Sequence, residues 1–248
     1  MRKVSIIGIG AGNPDYITVQ AIKALSEINV VFLIDKGLEK NVLTQLRKEI
    51  CERYITNNSY KIIQAEDAER DRNPFCYEAA VTAWHAQRAS IYERLIREEL
   101  ADGEHGAFLV WGDPSLYDST LRILDQVVAM KTVAFDLDVI PGITSAQALA
   151  ARHRIALNRI GEPIHITTGR QLAKGMTTDN VVVMLDSDCA FKNVSGDVDI
   201  YWGAYVGTTD EILVSGRLQE CGPEIEKVRR DAQARHGWIM DTYLLRKR

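Results

Sequence analysis

Val4-Ser5-Ile6-Ile7-Gly8-Ile9-Gly10-Ala11-Gly12-Asn13-Pro14-Asp15 is the first apolar run of this 248-residue chain, and it turns on glycines before any helix can begin. Val4–Ile9 is predicted as a first strand, ending in a glycine turn. Met1-Arg2-Lys3 ahead of it gives the outline of a signal peptide. The apolar run is short and interrupted by glycine, however, so a strand and a turn fit better. Downstream, Thr18 is an expected N-cap, with Ile22, Leu25 and Ile28 on one helical face.

The same alternation continues outward from this segment. Strands are expected at Val30–Ile34, Tyr60–Ala65, Ala107–Trp111 and Val133–Ile140. Between them, Leu43, Leu46, Ile50 and Tyr54 mark one helix, Tyr77–Ala101 a long second, and Leu121, Leu124 and Val128 a third. Strand–helix repetition of this kind implies a mainly parallel sheet covered by helices. Beyond Pro141-Gly142 the pattern changes. After a helix over Thr144–Ile155 come strands at Ile164–Thr168, Val181–Leu185, Ile200–Val206 and Glu211–Arg217. A charged helix, Pro223–Arg235, and a last strand around Trp238–Leu245 follow. The expected fold class is thus α/β in two domains, 1–138 with a mainly parallel sheet and 139–248 with a mixed sheet.

Composition narrows the function classes. An apolar fraction of 46% supports an ordinary globular core. A net charge of −4 speaks against a protein that coats nucleic acid by neutralising phosphates, though a small anion needs only a local basic pocket. Cys51, Cys76, Cys189 and Cys221 are scattered without metal-ligand spacing, as are the five histidines, so no metal site is expected. No apolar run is long enough for a membrane helix, and the expected location is the cytoplasm.

Three short motifs follow predicted strands. Gly8-x-Gly10-x-Gly12 permits a tight turn and a close backbone approach. It falls short of the dinucleotide fingerprint GxGxxG because Asn13-Pro14 intervenes, although Asp35 lies where a ribose-binding acid would sit. Gly112-Asp113-Pro114-Ser115-Leu116-Tyr117 can open a helix or line the crevice at strand ends. Pro141-Gly142-Ile143-Thr144-Ser145-Ala146 can be a helix cap or a polar ligand site.

In this order and spacing, with Ile17-Thr18-Val19-Gln20-Ala21 after the first turn, the motifs resemble the tetrapyrrole methylase superfamily over the whole chain. Longer stretches, including Trp111–Leu124, Pro141–Leu172, Tyr201–Tyr205 and Gly237–Tyr243, resemble its deacetylating precorrin methylases. The resemblance implies two α/β domains with S-adenosylmethionine in the cleft between them, released as S-adenosylhomocysteine. It further implies methylation at carbon 1 of a corrin precursor with loss of acetate, by a homodimer. The implied cofactor contacts are Gly112, Asp113, Leu116, Thr144 and Ser145 for the methionine end. Met184, Leu185, Gly207 and Gly237 are implied for the adenine.

The corrin substrate is a polycarboxylate. Arg70, Arg72 and Arg88 are candidates to pair with its side arms, and Trp84 to stack on a ring. Arg88 and His85 could equally form the wet face of a long helix. Deacetylation calls for a proton-handling group, for which Tyr117 and Asp35 are the candidates, followed by Lys36 and His85. Alternatives are a superfamily methylase of uroporphyrinogen or diphthine, a nicotinamide-dependent oxidoreductase, and a non-catalytic S-adenosylmethionine-binding regulator.

Overall fold

The computed structural model describes residues 1–35, 41–56, 59–69 and 76–248. The chain forms two compact units, one of residues 1–10 and 14–143, the other of residues 11–13 and 144–248. Ala11–Asn13, the end of the first glycine run, thus packs with the second unit.

Among its described residues the first unit holds five strands: β1 (Arg2–Gly8), β2 (Val30–Asp35), β3 (Lys61–Glu66), β4 (His105–Val110) and β5 (Phe135–Ile140). They pair in the order β3-β2-β4-β1-β5, and every pairing is parallel. Among the described residues, the sheet is covered by α1 (Val19–Leu25), α2 (Asn41–Tyr54), α3 (Tyr77–Glu99) and α4 (Thr120–Met130). Side chains on a strand point alternately to its two faces, and here both faces are apolar. Val4, Ile6, Val30, Phe32 and Phe108 pack beneath α3 and α4, against Tyr92, Ile96, Ile123 and Leu124. Ile7, Val31, Leu33, Ala107 and Leu109 pack beneath α1 and α2, against Leu25, Leu46 and Ile50. Thr18 caps α1 as its sequence position suggests, its side chain accepting from the Ala21 N–H at 3.1 Å.

The second unit holds α5 (Ser145–His153), β6 (His165–Thr168), the single turn α6 (Gly169–Leu172), β7 (Asn180–Met184), β8 (Val198–Ala204), β9 (Ile212–Arg217), α7 (Leu218–His236) and β10 (Asp241–Lys247). The sheet order is β6-β7-β10-β8-β9; β6 and β7 are parallel and the other pairings antiparallel. Val183, Ile200, Trp202, Tyr243 and Leu245 form its main core with Phe191 and Ile225.

Two sequence expectations shift here. α7 begins at Leu218 rather than Pro223, so the proline sits inside the helix and one turn bond is given up. β10 begins at Asp241 rather than Trp238. Gly237 ends α7 with φ 74°, and Trp238 and Ile239 after it pack, partly buried, against the core before pairing starts.

Candidate active site at the strand ends

In the first unit the order β4-β1-β5 places three carboxyl ends side by side, and each carries one of the sequence motifs. Gly112, just past β4, turns with φ 68° and exchanges backbone hydrogen bonds with Gly10 at 2.9 and 3.2 Å. A side chain on Gly8 would meet the Gly142 nitrogen at 2.6 Å and the Gly112 carbonyl at 2.8 Å. One on Gly142 would strike the same carbonyl. Only glycine allows these backbones to converge.

Asp113 ties the junction together. Its Oδ2 accepts from the Gly142 N–H at 2.8 Å and its Oδ1 from the Ser115 N–H at 2.8 Å, with the Ser115 hydroxyl donating as well. Burial raises its pKa, but the bonds from the Ser115 hydroxyl and the Gly142 and Ser115 amides outweigh that and hold the carboxyl below its ordinary range. Asp113 is therefore a fixed anion at the sheet's carboxyl end. Beyond it, Tyr117 adopts φ 52° and is 43% exposed, a left-handed conformation that a tyrosine rarely takes.

The glycine run is not followed by a helix that could receive a pyrophosphate. A 3-10 turn over Pro14–Tyr16 intervenes, and α1 starts only at Val19. The geometry of a dinucleotide fingerprint is absent there, which removes the support for a nicotinamide cofactor.

In the second unit β7 and β8 run parallel to each other on either side of β10, so their carboxyl ends share one edge with the start of β10. Met184, Thr242 and Gly203 lie in one row across the three strands. Leu185 follows Met184 with φ 54° and is 66% exposed, a large apolar side chain held outward. The Tyr205 N–H donates to the Met240 carbonyl at 2.9 Å, bringing the turn at Gly207 beside the segment that begins at Gly237. The Gly207 N–H donates to Glu211 Oε2 at 2.8 Å, and Arg152 pairs with the other oxygen of that carboxylate. A side chain on Gly12, which belongs to this unit, would collide with the Val206 carbonyl, so Gly12 lies against the Gly207 turn. Thr144 caps α5, exchanging hydrogen bonds with Gln147 in a capping box, and Ser145 is the first helical residue.

The family model for tetrapyrrole (corrin/porphyrin) methylases matches residues 3–222. The chain belongs to the tetrapyrrole methylase family. It is 51% identical to a precorrin-6A synthase [deacetylating] from Sinorhizobium sp., over 100% of this chain and 96% of that protein. A crystal structure of a cobalamin synthesis related protein (CobF) from Corynebacterium diphtheriae superimposes with a TM-score of 0.87 at 41% identity, covering 100% and 99% of the two chains. The fold is shared more distantly with a uroporphyrin-III C-methyl transferase from Thermus thermophilus, solved with S-adenosyl homocysteine. There the TM-score is 0.62 at 16% identity, covering 98% and 91%.

The methylase gathers the sequence-chosen cofactor residues into two groups, Gly112, Asp113 and Leu116 at the first sheet's ends, and Met184, Leu185, Gly207 and Gly237 at the second sheet's edge. The substrate candidates fare differently. Arg70, Arg72 and Lys36 lie outside the described residues. The backbone of Asp35 ends β2 opposite Glu66 of β3. Trp84 and Arg88 are neighbours, the guanidinium 4.8 Å from the indole ring centre. Arg88 is neither a substrate-facing cation nor part of a wet helix face, because it is only 3% exposed. It bonds Asp67 at 2.7 Å, the Ser119 hydroxyl at 2.9 Å and the Tyr92 hydroxyl at 3.0 Å, a cation consumed in joining α3 to the loops around it.

Two features escape the sequence motifs. Arg47 donates to the Leu109 carbonyl at 2.9 Å where the β2–β4 ladder ends, and burial lowers its pKa. Its signal was present, since a charged residue interrupts the apolar stripe Leu43, Leu46, Ile50. Asp186, buried beneath Leu185, carried no motif at all.

Proposed function

We propose that this methylase is an S-adenosylmethionine-dependent C-methyltransferase that converts precorrin-5 to precorrin-6A, methylating carbon 1 and releasing acetate. The observation that carries the reading is the full-length 51% identity to the deacetylating synthase. The residues present suit the cofactor. Asp113 is an anion whose two oxygens have acceptor capacity beyond their present bonds, so it can also take a ligand ammonium. The glycine turns let the three strand ends converge beside Asp113, with Leu116, Thr144 and Ser145 near them in sequence. Leu185, with Met184, Gly207 and Gly237 along one edge, offers apolar surface to a purine face.

The bound cofactor supplies an electrophilic methyl group. Asp113 orients its charged end, and alignment rather than a strong base governs such a transfer. Tyr117, projecting beside the same junction, is assigned to proton handling during deacetylation, with Asp35 as its companion at the end of β2. Trp84 with Arg70 and Arg72 is assigned to the polycarboxylate substrate. The protein is read as a cytoplasmic homodimer, and no helix among the described residues is long and apolar enough to cross a membrane.

The test is to incubate purified protein with precorrin-5 and S-adenosylmethionine, following precorrin-6A, acetate and S-adenosylhomocysteine. Calorimetric titration with S-adenosylhomocysteine and, separately, NADH accompanies it. Saturable binding of the first alone, with formation of all three products, is expected. Absence of S-adenosylhomocysteine binding would overturn the assignment. Binding without turnover would make the chain a cofactor-sensing regulator.

A further inference from the structure

Leu185 combines two costs that a folded chain ordinarily avoids: a left-handed backbone at a leucine and an outward apolar side chain. What holds it there lies directly underneath. Asp186 is 6% exposed and gathers three donors on its carboxylate. Oδ1 accepts from the Asp188 N–H at 3.0 Å, and Oδ2 accepts from the Ala190 N–H at 2.7 Å and the Tyr243 hydroxyl at 2.6 Å. Its own backbone carbonyl accepts from Arg229 Nη2 at 2.8 Å. Arg229 is fixed in turn by Asp241 Oδ2 at 3.0 Å, which also accepts from the Trp202 indole at 3.0 Å. A side chain on Gly169 would strike the Asp186 carboxylate, so the cradle is closed on that side too.

The turn after β7 is therefore bonded from below through both the side chain and the main chain of one residue, while its neighbour points the opposite way. A buried carboxylate satisfied this fully makes the turn rigid, since releasing any donor leaves a polar group unpaired. We propose that Asp186 is a positioning residue for the cofactor, holding Leu185 outward as a preformed apolar shelf for the nucleobase. Arg229, Tyr243 and Asp241 are the supports through which it is held. This inference rests on the methyltransferase reading above and adds to it the group that sets the shelf.

The test is a double-mutant cycle on S-adenosylhomocysteine affinity, using Asp186→Asn and Leu185→Gly. An asparagine turns an N–H toward either the Asp188 or the Ala190 amide, whereas glycine takes the left-handed backbone without strain and removes only the shelf. Each single variant is expected to raise Kd about tenfold, and the double variant no further, because both act through one side chain. The KM for S-adenosylmethionine should rise in step with Kd in both. Tyr243→Phe, which takes one donor from Asp186 and keeps the ring packing, gives the same non-additive pattern at smaller amplitude and stands in if Asp186→Asn does not fold. Additive losses in either cycle, or an unchanged Kd for Leu185→Gly, overturn the inference. Wild-type protein that binds no S-adenosylhomocysteine removes the functional reading instead, so the two failures are distinct.

Discussion

The Gly142 N–H donates to Oδ2 of Asp113 at 2.8 Å, joining residues 29 positions apart at the ends of β4 and β5. Asp113 thereby does two jobs with one carboxylate. It fixes the geometry of the loops that surround it, and it stays ionised at the position proposed to receive a cationic ligand group. Had it been only a helix-start residue, its bonds would have ended at Ser115, within its own turn.

Asp113→Ala is accordingly expected to weaken both cofactor binding and the fold. Hydrogen bonds to a charged group are each worth about 1.5–3 kcal/mol, which is roughly a tenfold to hundredfold loss in S-adenosylhomocysteine affinity for one such contact. Asp113→Asn keeps one accepting oxygen and should recover stability more than affinity. Titration and thermal melting on both variants check this; normal affinity in Asp113→Ala would leave the carboxylate a purely structural part.

Gly142→Ala should be more damaging than its size suggests. The added methyl has no space, since the Gly112 carbonyl occupies the position and Gly8 blocks the other side. Backbone must move, and the expected outcome is a large fall in melting temperature or insoluble protein. A variant that melts like wild type would mean that the three strand ends are not held in contact in solution.

The sequence made the strands and their chemistry legible because burial on both faces of a parallel sheet writes unbroken apolar runs, such as Val4–Ile9 and Ala107–Val110. The Thr18 and Thr144 caps were legible for a similarly local reason. Arg88 was not, because an arginine in a long polar helix reads as solvated, and only the packing of α3 shows Asp67 and Tyr92 waiting for it. Asp186 was invisible because Tyr243, its long-range partner, reaches it only once β7 lies beside β10. The start of α7 was misplaced because a proline read as a helix opener actually interrupts a helix already begun.

Arg88→Ala should destabilise rather than alter substrate kinetics. Removing one partner of a buried ion pair strands the other, at a cost of about 3–5 kcal/mol, and Asp67 is the carboxylate left behind. Chemical denaturation is the measurement. A wild-type midpoint accompanied by a raised Michaelis constant for the corrinoid would return Arg88 to the substrate site.

Stability should fall as pH drops below neutrality. His105 is buried with its Nε2 2.8 Å from the Ser5 hydroxyl; burial, followed by the charge of Lys3, lowers its pKa below the ordinary value near 6.5. His153, bonded to the Trp202 carbonyl, is likewise lowered by burial. A base with a depressed folded pKa binds fewer protons folded than unfolded. Its contribution is full above the unfolded pKa and is lost as pH falls through the folded one. The slope is at most about 1.4 kcal/mol per pH unit for each histidine. Urea midpoints should drop between pH 7.5 and 5.5, and His105→Gln should flatten the drop; an equal slope in that variant would assign the acid sensitivity elsewhere.

Under the proposed reaction, acetate and methyl transfer must be coupled one to one. Water adds to the acetyl carbonyl of the substrate, the bond from that carbonyl to the ring carbon breaks, and acetate leaves with the oxygen. The electron pair stays on the ring carbon, delocalised into the macrocycle, and that carbon then forms its bond to the methyl group. Deacetylation thus creates the nucleophile. A residue that assists only the hydrolytic half should lower both products equally when removed. Tyr117 is the residue proposed for this role; it has a left-handed backbone, and burial raises its pKa, so it holds its proton at neutral pH. Acetate and S-adenosylhomocysteine measured in parallel for wild type and Tyr117→Phe are the test. Equal losses support the order. Full methyl transfer with little acetate would require methylation to come first, with acetyl loss as a later and separate event.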